Sequence, residues 1–160
     1  LECFSIQNAR LLMASTQEID VILKEIINIE SNESKSNEYQ YRTYFLNNNN
    51  SLHNKLLNLK TRINNSNIEF IPFADWIGNR TPSWWTANNK IKHERGDKFH
   101  LANLENVLES LSALFLLNIY YIQLLDINNQ YVNPSNLVLS NGIKVTMMNG
   151  KGEFLFKYQL

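Results

Sequence analysis

Glycine is scarce in this 160-residue chain: there are five. None falls into a Walker-type or dinucleotide-type spacing, so phosphate-cradling loops of those kinds are excluded. A single cysteine, Cys3, excludes an internal disulfide framework and fits a reducing cytoplasm. Three histidines (His53, His93, His100) and that cysteine match no zinc spacing, so no metal is expected, and no cofactor either. There is no Gly-x-Ser-x-Gly elbow. Net charge is also missing, at zero with a near-neutral pI. The whole molecule is therefore no polyanion binder, and any nucleic-acid site must be a local patch. No signal-peptide pattern opens the chain. The richest apolar run, Leu111 to Leu125, is broken by Ser112, Asn118 and Gln123, so no membrane span is expected.

What is present is helical periodicity. From Leu1 to about Glu30, Leu12, Ile19, Ile22, Leu23, Ile26 and Ile29 recur at three- and four-residue steps. Asp20 and Lys24 form an i,i+4 pair expected to face solvent, and Glu18 is expected at the edge of the apolar face. A loop over 31–37 precedes a short aromatic helix over 38–46. The asparagine run at 47–50 reads as a turn, and Ser51 as the cap of a helix carrying Leu52, Leu56, Leu57 and Leu59. Residues 68–76, with Pro72 in the middle, read as an ordered connector. A second long helix is expected over about 97–126, apolar around much of its circumference. Such a helix lies at the centre of a bundle or buries one side in a partner subunit. After a linker at 128–136 the period changes to two. Alternation at Ile143, Val145 and Met147 and at Phe154, Phe156 and Tyr158, with Asn141-Gly142 and Asn149-Gly150 as turns, predicts a small antiparallel appendix of two or three strands. The expected organisation is a mainly α bundle over 1–126 and a linker with a β appendix over 127–160.

Between the long helices lies the stretch from Thr81 to Arg95. Thr81 is an N-cap candidate with Pro82 at the first helical position, and Gly96 ends the segment. Trp84 and Trp85 are read as core anchors. Asn89 and His93 are four apart and share a helix face, with Trp85 one turn before them and Lys92 and Arg95 flanking His93. Histidine's unperturbed pKa, about 6.5, suits acid–base work. From the residues alone, a structural histidine and a catalytic one both stand.

Ser83-Trp84-Trp85, the run Asn89-Lys90-Ile91-Lys92-His93-Glu94-Arg95, then Phe99, Ala102-Asn103-Leu104 and an apolar helix ending Tyr120-Tyr121 resemble HEPN-like proteins (higher eukaryotes and prokaryotes nucleotide-binding domain). The resemblance covers roughly 1–125. It implies a bundle of four or five helices that commonly dimerises. Many members are metal-independent ribonucleases of toxin–antitoxin and phage-defence systems. By position, His93 matches the motif histidine, Asn89 the polar residue that orients it, and Asn88 stands where the family has arginine. Lys90, Lys92 and Arg95 are the expected RNA-binding cations. A neutral amide at 88 cannot supply the charge-assisted contact of a phosphorane-like transition state. The resemblance therefore implies a cytoplasmic, homodimeric RNA-associated module, regulatory or defence-linked, with a degenerate motif and an antitoxin or other protein partner. The alternatives are an active endoribonuclease and a purely structural interaction bundle.

Overall fold

The computed structural model describes residues 1–48, 50–125 and 137–140 in full, and the backbone of 144–150 and 153–159. Among them the chain is mainly helical: α1 (Ile6–Ser31), α2 (Glu38–Asn47), α3 (Ser51–Asn58), α4 (Ala74–Ile77), α5 (Ser83–His93), α6 (Arg95–Lys98) and α7 (Leu104–Leu124), with a 3-10 turn at Phe99–Leu101.

Local capping sets the helix limits. Ser5 Oγ accepts from the Asn8 amide at 3.0 Å and starts α1. At its other end Asn32 takes the left-handed conformation, φ 55°, and its N–H returns to the Asn28 carbonyl. Asparagine here does what glycine does at most helix ends. The expected long second helix begins later than its periodicity suggests. Residues 97–101 form separate short turns, and Asn103 is the cap, its Oδ1 accepting from the Asn106 amide at 2.9 Å.

α1 and α7 run side by side in the same direction. Leu104 N donates to Cys3 O near their starts, Ser15 and Ser110 Oγ lie 2.7 Å apart midway, and Tyr120 donates to Glu30 near their ends. Between them sit Leu12, Ile19, Leu23, Ile26, Leu116 and Leu117, all fully buried. Ile29, expected on this stripe, is exposed, and Ile27 is buried instead. By length and composition α7 is apolar enough to cross a membrane, contrary to the reading of an interrupted run. Mean hydropathy tolerates the isolated Ser112, Asn118 and Gln123. In the fold, half of that stretch is buried inside the protein.

The connector expected over 68–76 is more regular than that, and α3 ends at Asn58, short of the expected Leu59, so a strand follows it. β1 (Thr61–Ile63) pairs antiparallel with β2 (Glu69–Phe70) and with β3 (Val138–Leu139), in the order β2-β1-β3. Ile63 and Val138 close on Leu108 of α7 as a small satellite core. β3 was expected in the C-terminal appendix but joins this sheet, where Val138 buries its side chain against Ile63 and Leu108. The appendix itself is a two-stranded antiparallel hairpin, β4 (Lys144–Gly150) with β5 (Glu153–Gln159), in register from Lys144↔Gln159 to Gly150↔Glu153. Asn149 and Gly150 thus end a strand rather than form the turn. The Asn141-Gly142 turn and the whole 128–136 linker lie outside the described residues.

Candidate functional site

α5 is fixed at its start by a buried polar knot. Glu38 Oε1 accepts from Arg42 Nη1 at 3.2 Å and Trp76 Nε1 at 2.8 Å; Glu38 Oε2 accepts from Thr81 Oγ1 at 2.9 Å. Glu38 and Arg42 are both buried, so the carboxylate needs all three donors. Thr81 is thereby occupied and does not cap α5. Pro82 holds the cap position with no side-chain bond. Trp84 is fully buried, its indole N–H donating to Pro72 O at 3.1 Å, and Trp85 packs edge-on against Tyr41. Both tryptophans anchor the helix.

This anchoring turns Trp85, Asn88, Asn89 and Lys92 toward α1, where they line a cleft of about 190 Å³. Opposite stand Met13, Thr16, Gln17 and Asp20. Each helix contributes positions i, i+3, i+4 and i+7, the stripe that one helix face presents. Asn88 is 7% exposed, yet its amide has no hydrogen-bond partner among the described residues. The amide opens onto the cleft rather than being sealed inside the protein, so it can bond whatever enters there. Asp20 is half-buried rather than solvent-facing. It accepts from Tyr41 Oη at 2.7 Å and pairs with Lys24.

The predicted residues separate. Asn88, Asn89 and Lys92 meet in the cleft. His93 is the last residue of α5, exposed and outside the lining. α5 ends two residues sooner than expected, as Glu94 leaves helical geometry at φ −129°. Arg95 therefore starts α6, with its guanidinium 5.7 Å from the Phe99 ring. Lys90 is exposed on another side of α5. Among the described residues no group of three or more His, Cys, Asp or Glu is arranged to hold a metal ion. Glu18 is exposed beside the cleft, not in it.

Sequence reasoning missed Met13, Thr16, Gln17 and Asp20. The signal was available: these four follow the i, i+3, i+4, i+7 pattern next to the apolar stripe. It also missed a buried centre at the far end of α1. Glu30 accepts from His53 Nε2 at 2.9 Å, Tyr44 Oη at 3.1 Å and Tyr120 Oη at 2.5 Å. His53 is 1% exposed, against Phe45 at 4.5 Å, and its Nδ1 has no partner. Burial alone would raise the Glu30 carboxyl, but the hydrogen bonds from His53, Tyr120 and Tyr44, with the pull of the imidazole, hold it below its usual range. Burial and this carboxylate push the Tyr120 hydroxyl well up. A wider cavity of about 330 Å³ lies nearby, between the end of α1 and α2. Asn88, Asn89 and Lys92 line the smaller α1–α5 cleft and none of the predicted site residues lines this one, so the smaller cleft is the stronger site.

In comparisons with known proteins, no family model, no curated protein and no solved structure matches the chain. The HEPN-like resemblance rests on the quoted residues alone.

Proposed function

We propose that this chain is an RNA-binding module of HEPN-like type that holds single-stranded RNA in the α1–α5 cleft and does not cut it. One observation carries the reading: Asn88, Asn89 and Lys92 converge on the cleft while His93 stays outside it. The cleft has amides and one cation to grip a nucleotide; its carboxylate, Asp20, is held by Tyr41 and Lys24, and the motif histidine is not there. With Asn88 at the arginine position, the transition-state charge is also unsupported. The role is regulatory rather than catalytic, in a homodimer. Support for the dimer is the incomplete cover of α7, where Leu111, Leu114, Tyr121 and Ile122 are only partly buried and the following Leu125 is 39% exposed.

The test is binding and cleavage of labelled single-stranded RNA in metal-free buffer. The expected result is salt-dependent binding, weakened by Lys92→Ala, with the RNA intact after long incubation. Cleavage lost in His93→Ala would move the chain to the ribonuclease reading. No RNA binding at all would leave a structural interaction bundle. Sedimentation showing a monomer at high micromolar concentration would remove the dimer.

A further inference from the structure

We propose that the α1–α5 cleft reads one guanine base, with Asp20 as the base-reading acceptor. This rests on the RNA-binding reading above and names what the same site selects. Two features of the cleft carry it. The first is the Asn88 amide, which lines the cleft and makes no hydrogen bond to the other described residues, so donor and acceptor are both available to a ligand. The second is a carboxylate on the facing helix. Asp20 is an acceptor only, with room for about four hydrogen bonds. One oxygen accepts from Tyr41 and the other from Lys24, which leaves a lone pair on each. Tyr41 is fully buried and packs on Trp85, so it acts as a positioning residue for Asp20.

An acceptor pair beside an amide matches one base edge better than the others. Guanine presents two adjacent N–H donors, at N1 and N2, next to the O6 acceptor. The carboxylate takes both donors and the Asn88 amide N–H donates to O6. Adenine sets a bare ring nitrogen beside its one amino donor, and uracil flanks its single donor with two carbonyls. Each turns a lone pair toward the carboxylate, a repulsion that sharpens selection. A single-stranded RNA base is free to leave its stack and offer this edge. Met13 and Trp85 give the base apolar walls, and a cleft of about 190 Å³ suits one base rather than two. Exposed Lys92 stands at the cleft where a neighbouring phosphate lies.

The experiment is fluorescence anisotropy of the full chain with nine-residue oligouridylates carrying a central guanine, a central adenine or neither, with 5′-GMP as competitor. The guanine oligomer is expected to bind roughly tenfold or more tighter than the adenine one, the discrimination a bidentate base contact gives. Asp20→Asn should erase that preference, bringing the guanine oligomer down to the affinity of the adenine one. Asn88→Ala should lower guanine affinity with Asp20 intact, so the test survives if Asp20→Asn folds poorly. Lys92→Ala should weaken all oligomers alike. Equal binding of all three oligomers overturns guanine reading and leaves RNA binding standing. Binding of GMP but of no oligomer overturns RNA as the source of the base. No binding of any probe overturns both readings.

Discussion

Tyr120 and Glu30, ninety residues apart in the chain, share a 2.5 Å hydrogen bond that ties the end of α7 to the end of α1. The same carboxylate holds His53 from α3 and Tyr44 from α2. Four helices thus meet on one charge, at the opposite end of α1 from the chain's start. The α1–α5 cleft lies between that clamp and the N-terminal contacts with α7.

The clamp makes stability acid-sensitive. Glu30 sits below its usual 4.5 in the folded protein. The unfolded chain therefore binds its proton more readily, and stability falls as pH drops below about 4.5 and through the folded value. Glu30→Gln is expected to cost about 1.5–3 kcal/mol at neutral pH, the scale of hydrogen bonds to a charged acceptor. It should also flatten the acid limb between pH 5 and 3. Urea unfolding at several pH values measures both.

Glu109 titrates with the opposite sign. Burial, opposed by the Ser83 hydrogen bond and reinforced by Asp75 and Glu105, pushes its carboxyl up to about 7. Here the folded state keeps the proton longer, so stability declines as pH rises from 4.5 to about 7. Glu109→Gln should be neutral at pH 5 and stabilising at pH 8, by roughly 1 kcal/mol after solvent screening is allowed for. Thermal unfolding at the two pH values reads the difference.

How far the core was legible shows in α7. The period predicted an apolar helix, and Leu116 and Leu117 are fully buried. Leu111 and Phe115, in the same apolar run, are only partly so. Periodicity tells which residues share a face; what covers that face depends on distant elements. The same limit hid the cleft, because α5 carries a visible stripe but its counterpart on α1 looks like an ordinary polar edge. β1 and β2 were invisible because two or three residues carry no period. Thr81 fitted a cap and was drawn instead into the Glu38 knot, a contact between residues 43 apart. Leu116→Ala should therefore cost about 2–5 kcal/mol, and Leu111→Ala clearly less, in chemical denaturation.

His93 is exposed at the end of α5, so His93→Ala should change stability by no more than about 0.5 kcal/mol. A fall of several degrees in melting temperature would place it in a packed environment and contradict the exposed position. The change should also leave RNA affinity within about twofold, since the cleft lining does not include it.

Asn88→Arg tests the relation between cleft and motif. The new side chain is longer than the one it replaces in a tight site, and overpacking of this kind costs about 1–3 kcal/mol. Asp20 lines the same cleft and offers the guanidinium a carboxylate, which limits the loss. With a cation at position 88, RNA should bind more tightly at low salt, and the salt dependence should steepen by about one phosphate contact. Cleavage is not expected, because the guanidinium enters a cleft that His93 does not line. Metal-free cleavage that depends on both Arg at 88 and His93 would show the two positions acting on one phosphate, across a dimer if not within one chain. That result would reassign the degenerate motif as a ribonuclease scaffold lacking a single charge.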